Sequence, residues 1–252
     1  MRVDLFPVVF SKTSQRTILF INNIDTFHKN YELCKAYDYV ITSNYKIFDH
    51  TNQLNIKFSK FYKKLIIKLL KHNFKLKPDN IFGVTGTNGK TSSCYIAYTL
   101  AKKMGINCAY IGTLGVIFTS KGSEYDYYEV MKKKFNYQKN NTEDCLTTLN
   151  VAKNYQILNF LKDQFDITHL YIELSSHGLH QGRLEGIMID KACITNITHE
   201  HLDYHKTIES YIDAKLQIVS LLKNNSTILV NHSDEIKYNI IKKISNIRGD
   251  VK

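Results

Sequence analysis

Residues 83 to 93, GVTGTNGKTSS, combine glycines, one lysine and several hydroxyl side chains in a short stretch. An apolar strand pattern precedes this stretch and a helical pattern follows it, so it forms a strand-to-helix loop. Backbone N–H groups and the helix N-terminus in such a loop attract anions, and Gly86 and Gly89 allow a phosphate to approach the backbone. Lys90 can reach the terminal phosphates of a nucleotide, and the Thr91 hydroxyl can bind Mg²⁺. The stretch predicts a phosphate-binding loop.

The loop departs from the strict G-x-x-x-x-G-K-[ST] pattern at one position. That pattern requires glycine at position 84, which is Val84 here, and the glycines stand at positions 83 and 86 instead. A turn that happens to carry a lysine is the alternative interpretation. The strand before the loop and the helix after it favour the nucleotide-binding interpretation.

Two further groups of residues could bind a metal. Glu173 ends the apolar segment LYIE, where the strands of an α/β sheet place their ligands. Residues 199 to 205, HEHLDYH, hold three histidines together with Glu200 and Asp203. The alternatives are an ordinary acid at a strand edge and histidines with local hydrogen-bond partners.

Lys215 lies within an apolar helical stripe. It is four residues after Tyr211 and four before Val219, on the same predicted helix face. Burial there lowers the pKa of a lysine and favours the neutral amine. The alternative is that the aliphatic stem lies along the stripe while the ammonium reaches water.

The elements around these residues alternate between strand and helix. From residue 80 onward this predicts an α/β fold with a mainly parallel, doubly wound sheet that carries the phosphate-binding loop. Residues 1–77 predict a small α/β N-terminal domain, and residues 78–252 the nucleotide-binding domain. Residues 117–145 predict a hairpin or long loop, and TIESYIDAKLQIVSLLK predicts one continuous helix. The buried stripe of the helix after the phosphate-binding loop is predicted to contain Cys94, Ile96, Ala97, Leu100, Ala101 and Met104.

Composition limits the class of protein. The formal net charge is +11, but the lysines are spread along the chain, and no arginine-rich stripe or basic patch with interleaved aromatic residues predicts nucleic-acid binding. No apolar run has the length of a membrane span. The five cysteines are widely spaced without a CxxC pair, which favours a reducing, cytoplasmic compartment over a disulfide framework or zinc site.

Four segments together resemble the Mur ligase superfamily, and in particular its MurE branch. GVTGTNGKT resembles the ATP loop, and YIELSSHGLHQGRLEGI resembles the substrate and metal segment. TNITHEHLDYH is similar to the Asn…His-Leu-Asp-Tyr-His signature, and YIDAKLQ to the Ala-Lys helix. They occur in the order expected for the family, and the displaced glycine of the loop is part of the resemblance.

The resemblance implies a function for each segment. Enzymes of this type use ATP to phosphorylate the carboxylate of UDP-N-acetylmuramoyl-L-alanyl-D-glutamate, and an amino acid, usually meso-diaminopimelate or L-lysine, then displaces phosphate. It implies catalytic roles for Lys90, His201 and Lys215, with Lys215 carbamylated. It implies nucleotide contacts from Gly86, Thr87, Asn88, Gly89, Lys90, Thr91 and Asn196, Mg²⁺ ligation by Thr91, Glu173, His201 and Lys215, and substrate contacts from Thr147, Thr148, Ser175, Gln181 and Arg183.

The resemblance does not extend over a whole ligase. Family members continue into a third domain that binds the incoming amino acid, and no segment here resembles its Asp-Asn-Pro-Arg motif. We therefore expect a fragment, a truncated product or one part of a split enzyme. The alternatives for function are a folylpolyglutamate synthase-like ligase, a nucleotide-binding remnant without turnover, and a general P-loop kinase or GTPase.

Overall fold

The structure is a computed structural model, and it describes residues 6–10, 16–20, 39–42, 56–58, 62–135, 145–231 and 237–250. The chain divides into two compact units, Met1–Lys75 and Leu76–Lys252. Within the described ranges, no helix combines the length and the apolar character needed to cross a bilayer.

The first unit contains a four-stranded sheet and one helix. The elements are β1 (Phe6–Phe10), β2 (Arg16–Phe20), β3 (Tyr39–Thr42), β4 (Ile56–Phe58) and α1 (Tyr62–Asn73). The strand order is β1-β2-β3-β4, with β1 antiparallel to β2 and the remaining pairs parallel. The helix α1 is rich in lysine and buries Ile66 and Leu70.

The second unit is built on a seven-stranded sheet. Its elements are β5 (Asn80–Thr85), α2 (Lys90–Lys103), β6 (Cys108–Gly112), β7 (Gly115–Ser120), β8 (Ser123–Asp126), α3 (Tyr127–Phe135), α4 (Val151–Phe165), β9 (His169–Glu173), α5 (Ser176–His180), β10 (Ile189–Ile194), α6 (Leu202–His205), α7 (Ile208–Leu216), a 3₁₀ helix (Gln217–Leu221), β11 (Leu222–Val230) and α8 (Lys237–Ile247).

The strand order is β11-β10-β5-β9-β6-β7-β8. The first five strands in this order pair in parallel, and β7 and β8 extend the sheet as an antiparallel hairpin. The predicted α/β class and mainly parallel sheet are confirmed. Because parallel strands end at the same edge, residues that follow β5, β6, β9 and β10 lie side by side there.

The buried face of α2 differs from the prediction. Cys94, Tyr98 and Ala101 pack against Val84 and Tyr110 of the neighbouring strands. The predicted stripe residues Ile96, Leu100 and Met104 are instead exposed, at 59%, 56% and 76%. The helix is rotated because Tyr98 fills the core with its ring while its hydroxyl donates to Glu124 at 2.8 Å.

Two other segments also differ from their predictions. The helix predicted from TIESYIDAKLQIVSLLK ends at Leu216, a 3₁₀ turn follows, and Leu222 already pairs with Ile189 in the sheet. The region 117–145 contains the predicted hairpin, β7–β8, and also the helix α3, which buries Tyr127 and Tyr128. Residues 136–144 of that region lie outside the described residues.

Candidate functional site

The phosphate-binding loop begins where β5 ends at the carboxyl edge of the sheet. Val84 is a buried position within β5, so the loop starts only after Thr85. Gly86 has φ +148° and Gly89 has φ +82°, and Gly89 directly precedes α2 without a side chain to cap it. Since glycine has no side chain, the residue before this 14-residue helix does not cap its first N–H groups.

The residues after β10 hold the loop in place. The Asn196 side chain accepts from Asn88 N at 2.9 Å and donates to Asn88 O at 3.1 Å. Asn196 O also accepts from Thr87 N at 2.8 Å. Asn196 thus shapes the backbone of the loop, and its predicted direct contact with a nucleotide stays a prediction.

Lys90 folds back over the loop. Its ammonium donates to the carbonyl oxygens of Gly86 at 2.9 Å and Thr87 at 2.8 Å. These carbonyls are neutral acceptors, which a phosphate oxygen can replace with a stronger, charge-assisted partner.

The predicted pair Thr91 and Glu173 is in direct contact. The Thr91 hydroxyl donates to Glu173 Oε2 at 2.8 Å. Glu173 is 0% exposed, and its remaining donors are the Tyr110 hydroxyl, Thr113 N at 3.1 Å and the Thr113 hydroxyl at 3.2 Å. Among the described residues, all these partners are neutral, so a buried carboxylate lies here without a cationic side chain. Carboxylate oxygens such as those of Glu173 are the ligands that a hard divalent cation such as Mg²⁺ prefers.

Lys215 is buried against the same loop. It is 1% exposed, its ammonium donates to Gly86 O at 2.6 Å, and it lies 4.4 Å from the centroid of the Tyr211 ring. Burial, followed by repulsion from Lys90, lowers the pKa of Lys215 to about 7. Of the two interpretations of the helical spacing, the structure shows the buried ammonium, and the alternative in which it reaches water is wrong.

Tyr211 connects α7 to the loop. Its hydroxyl lies 3.0 Å from the Thr87 hydroxyl and donates to Glu200 Oε2 at 3.2 Å. Thr87 also accepts from Thr198 N at 2.9 Å. The loop is therefore fixed from both β10 and α7.

His201 is linked to these contacts through Glu200, and its ring centroid lies 6.4 Å from that of Tyr211. It lies 3.8 Å from Glu200, and its ring meets that of His177 edge-on at 4.8 Å. His205 is 5% exposed, and burial lowers its pKa to about 4. Within the described ranges, no three His, Cys, Asp or Glu side chains form a metal-binding group, so HEHLDYH does not build one by itself. His199 is exposed.

Four of the five predicted substrate residues, Thr148, Ser175, Gln181 and Arg183, are linked by hydrogen bonds beside Glu173. Arg183 donates to Gln181 Oε1 from Nε at 3.0 Å and from Nη2 at 2.7 Å, and to Thr148 O at 2.6 Å. The Thr148 hydroxyl is buried and accepts from Ser175 N at 2.8 Å. The Thr147 hydroxyl lies 3.3 Å from that of Thr113, next to the Glu173 carboxylate.

The structure therefore brings together most of the predicted residues. The phosphate-binding loop, Thr91, Glu173 and Lys215 meet at the ends of β5 and β9, whereas Thr148 faces inward and positions Ser175. Sequence analysis missed Tyr110 and Thr113. Tyr110 lies within the apolar strand β6 and Thr113 directly follows it, and neither position has a spacing pattern that indicates a site.

Replacing Gly86 by alanine is expected to destabilise the fold. A Cβ at Gly86 would lie 1.9 Å from Thr195 Oγ1, and the φ of +148° is unfavourable for alanine. Gly105→Ala is the matched control, because Gly105 also has positive φ, +76°, but nothing lies within 4 Å. We expect Gly86→Ala to lower the free energy of unfolding in urea by about 2 kcal/mol more than Gly105→Ala does. Equal losses would show that the close approach of Thr195 does not matter.

Comparison with known proteins identifies the family to which the second unit is similar. The family model "Mur ligase middle domain" matches residues 84–251. The 2,6-diaminopimelate-adding UDP-N-acetylmuramoyl-L-alanyl-D-glutamate ligase of Leptospira interrogans is 38% identical over 143 residues, which are 57% of this chain and 24% of that protein. UDP-N-acetylmuramyl-tripeptide synthetase 2 of Oceanobacillus iheyensis is 38% identical over 166 residues, 65% of this chain and 30% of that protein.

Solved structures show the same fold. A UDP-N-acetylmuramoyl-L-alanyl-D-glutamate–2,6-diaminopimelate ligase superposes with a TM-score of 0.67 at 25% identity, over 93% of this chain and 44% of that one. The MurF ligase of Thermotoga maritima, solved in complex with ADP, has a TM-score of 0.54 at 16% identity and so shares the fold. The matches cover less than half of these proteins. The family model, which spans most of the second unit, shows that the chain belongs to the Mur ligase family.

Proposed function

We propose that this chain supplies the nucleotide site and part of the substrate site of an ATP-dependent ligase. The ligase would add a diamino acid, meso-diaminopimelate or L-lysine, to UDP-N-acetylmuramoyl-L-alanyl-D-glutamate in peptidoglycan precursor synthesis. The observation that carries this proposal is the meeting of the phosphate-binding loop, the Thr91–Glu173 pair and the buried Lys215 at one edge of the sheet.

The nucleotide would be bound by its phosphates. The start of α2 and the Lys90 ammonium offer positive potential at one place, while the amides of Thr87 and Asn88 donate to Asn196 and hold the loop in shape. ATP and a substrate carboxylate are both anions, so oriented dipoles and cations must offset their repulsion before the phosphoryl group is transferred.

Thr91 and Glu173 would hold Mg²⁺, with His201 near a second ion or the transferring phosphate. Mg²⁺ supplies charge neutralisation for phosphoryl transfer when it is bound. The support in this chain is the fully buried Glu173 carboxylate, which has only neutral partners among the described residues.

Lys215 would be carbamylated. At a pKa of about 7, much of its amine is neutral near physiological pH. The nitrogen lone pair attacks the carbon of CO₂, a C–O π pair moves to oxygen, and the nitrogen loses a proton to solvent, which leaves a carbamate anion. This converts a buried neutral amine into a buried anion beside the phosphate-binding loop and Lys90.

Arg183 and its partners would bind the UDP-linked substrate. A guanidinium suits a carboxylate or a pyrophosphate, and Gln181 and Thr148 already fix its orientation.

The four described cysteines, Cys94, Cys108, Cys145 and Cys193, are free thiols, which supports a reducing compartment, and we place the reaction in the cytoplasm.

Calorimetric titration with UDP-N-acetylmuramoyl-L-alanyl-D-glutamate tests the substrate assignment. We expect the chain to bind it and Arg183→Ala to weaken binding by about tenfold or more, because a charged hydrogen-bond donor is lost. Arg248→Ala is the control, since Arg248 also donates to a backbone carbonyl, that of Leu222, but pairs with Asp250 away from the site. Nucleotide binding without any binding of the UDP-linked substrate would contradict the muramyl assignment and favour a folylpolyglutamate-type ligase or a remnant.

A further inference from the structure

The two oxygens of the Glu173 carboxylate have different surroundings. Oε2 accepts hydrogen bonds from the hydroxyls of Thr91 and Thr113, at 2.8 and 3.2 Å. Oε1 accepts hydrogen bonds from the Tyr110 hydroxyl and from the Thr113 amide, the latter at 3.1 Å. Only Oε2 faces Thr91, which is the other side chain proposed to hold the metal.

Tyr110 can donate its proton in one direction only. Its oxygen lies 3.2 Å from Leu114 N, which has a proton to give and no lone pair to receive one. The tyrosine oxygen therefore accepts from Leu114, and its own proton points to Glu173 Oε1.

The backbone around Tyr110 is shaped to permit this contact. Tyr110 is 0% exposed in the middle of β6, directly beside Tyr171 of β9, and its ring meets that of Tyr95 edge-on at 5.7 Å. A Cβ at Gly112 would lie 2.2 Å from Glu173 Oε1 and 2.6 Å from the Tyr110 hydroxyl. A glycine at this position thus leaves room for the hydroxyl and the carboxylate to meet.

We infer that Tyr110 is a positioning residue, which holds Oε1 of Glu173 so that Oε2 stays turned toward Thr91 and the divalent cation. The inference rests on the proposed Mg²⁺ site and adds a residue to it. Outer groups that orient a ligating carboxylate typically change metal affinity by about 10- to 100-fold when they are removed.

Mn²⁺ binding to the protein without nucleotide, followed by the electron paramagnetic resonance signal of free Mn²⁺, tests this role. Tyr110→Phe keeps the ring and removes the hydroxyl, and we expect it to weaken Mn²⁺ binding by about tenfold. Its affinity for the nucleotide in EDTA should be unchanged, which a general loss of structure would not allow. Tyr98→Phe is the matched control, because Tyr98 is equally buried and donates to the carboxylate of Glu124 outside the site.

Glu173→Gln distinguishes a wrong role for Tyr110 from a wrong metal site. If Glu173→Gln weakens Mn²⁺ binding and Tyr110→Phe does not, the metal site stands and the role of Tyr110 is wrong. If Glu173→Gln also binds Mn²⁺ as the wild type does, the proposed metal site itself is wrong. Should Tyr110→Phe not fold, Gly112→Ala displaces the same contact and is expected to weaken Mn²⁺ binding; wild-type affinity in that variant would overturn the inference.

Discussion

Replacing Lys90 by alanine is expected to weaken the binding of a non-hydrolysable ATP analogue by about 100-fold, roughly 2.7 kcal/mol. The magnitude follows from the loss of hydrogen bonds between an ammonium and charged phosphate oxygens, each worth about 1.5–3 kcal/mol. In the structure the ammonium is held by the carbonyls of Gly86 and Thr87, directly over the loop that the phosphates would enter. Isothermal calorimetry of the two proteins measures the difference.

Lys102→Ala is the control for this substitution. Lys102 lies on the same helix, but its ammonium pairs with Glu124 at the surface at 2.7 Å. It changes the net charge by the same amount, so any general electrostatic effect on an anionic ligand appears in both variants. Equal weakening by Lys90→Ala and Lys102→Ala would mean that Lys90 has no specific contact with the nucleotide.

Replacing Lys215 by methionine is expected to make the protein more stable at pH 7 in buffer free of CO₂. The burial of Lys215 lowers its pKa from 10.5 to about 7 in the folded state. Between these two values the unfolded chain binds a proton that the folded chain does not, so the wild type gains stability as the pH rises from 7 toward 10.5. Below pH 7 both states are protonated, and the full cost of burying the charge remains.

The advantage of Lys215→Met over the wild type should therefore shrink as the pH rises. We expect a slope of about 1.4 kcal/mol per pH unit at its steepest, and roughly 3 kcal/mol between pH 7 and 10. Urea unfolding of both proteins across this range measures it, and Lys103→Met, at an exposed position on α2, is the control. If the stability curves of wild type and Lys215→Met run parallel from pH 7 to 10, the lowered pKa of a buried Lys215 is contradicted.

The sequence was most informative where function restricts residue type and spacing. The glycines and lysine of the loop, the acid that ends β9 and the lysine within the apolar stripe of α7 each stand out from their local pattern, and each lies at the carboxyl edge of the sheet. Parallel strands explain why residues so distant in sequence meet, as when Thr91 contacts Glu173. The roles given to these residues stay proposals.

Periodicity was less informative where several faces of a helix are apolar. On α2, Ile96, Leu100 and Met104 form as regular a stripe as the buried residues do, and only the packing of Tyr98 and its contact with Glu124 decide which face turns inward. Similarly, the predicted helix after Thr207 ends early because Leu222 pairs with Ile189 in the sheet, a contact between distant segments that local spacing does not contain.

Tyr110 and Thr148 show the corresponding limit for the site. Tyr110 lies in an ordinary apolar strand, CAYIG, and becomes part of the site only because β6 lies beside β9. Thr148 resembles a substrate residue, yet its hydroxyl lies inside the protein and accepts from Ser175 N. Which way a side chain faces depends on the neighbouring strand or helix, and the sequence does not specify this locally.

Calorimetric titration of the wild-type chain with a non-hydrolysable ATP analogue, in Mg²⁺ and again in EDTA, tests the central claim most directly. The claim is that the carboxyl edge of the seven-stranded sheet is a magnesium–nucleotide site. We predict saturable binding at a single site, with markedly lower affinity in EDTA because Thr91 and Glu173 then hold no cation. No saturable binding, or the same affinity with and without the metal, would contradict it.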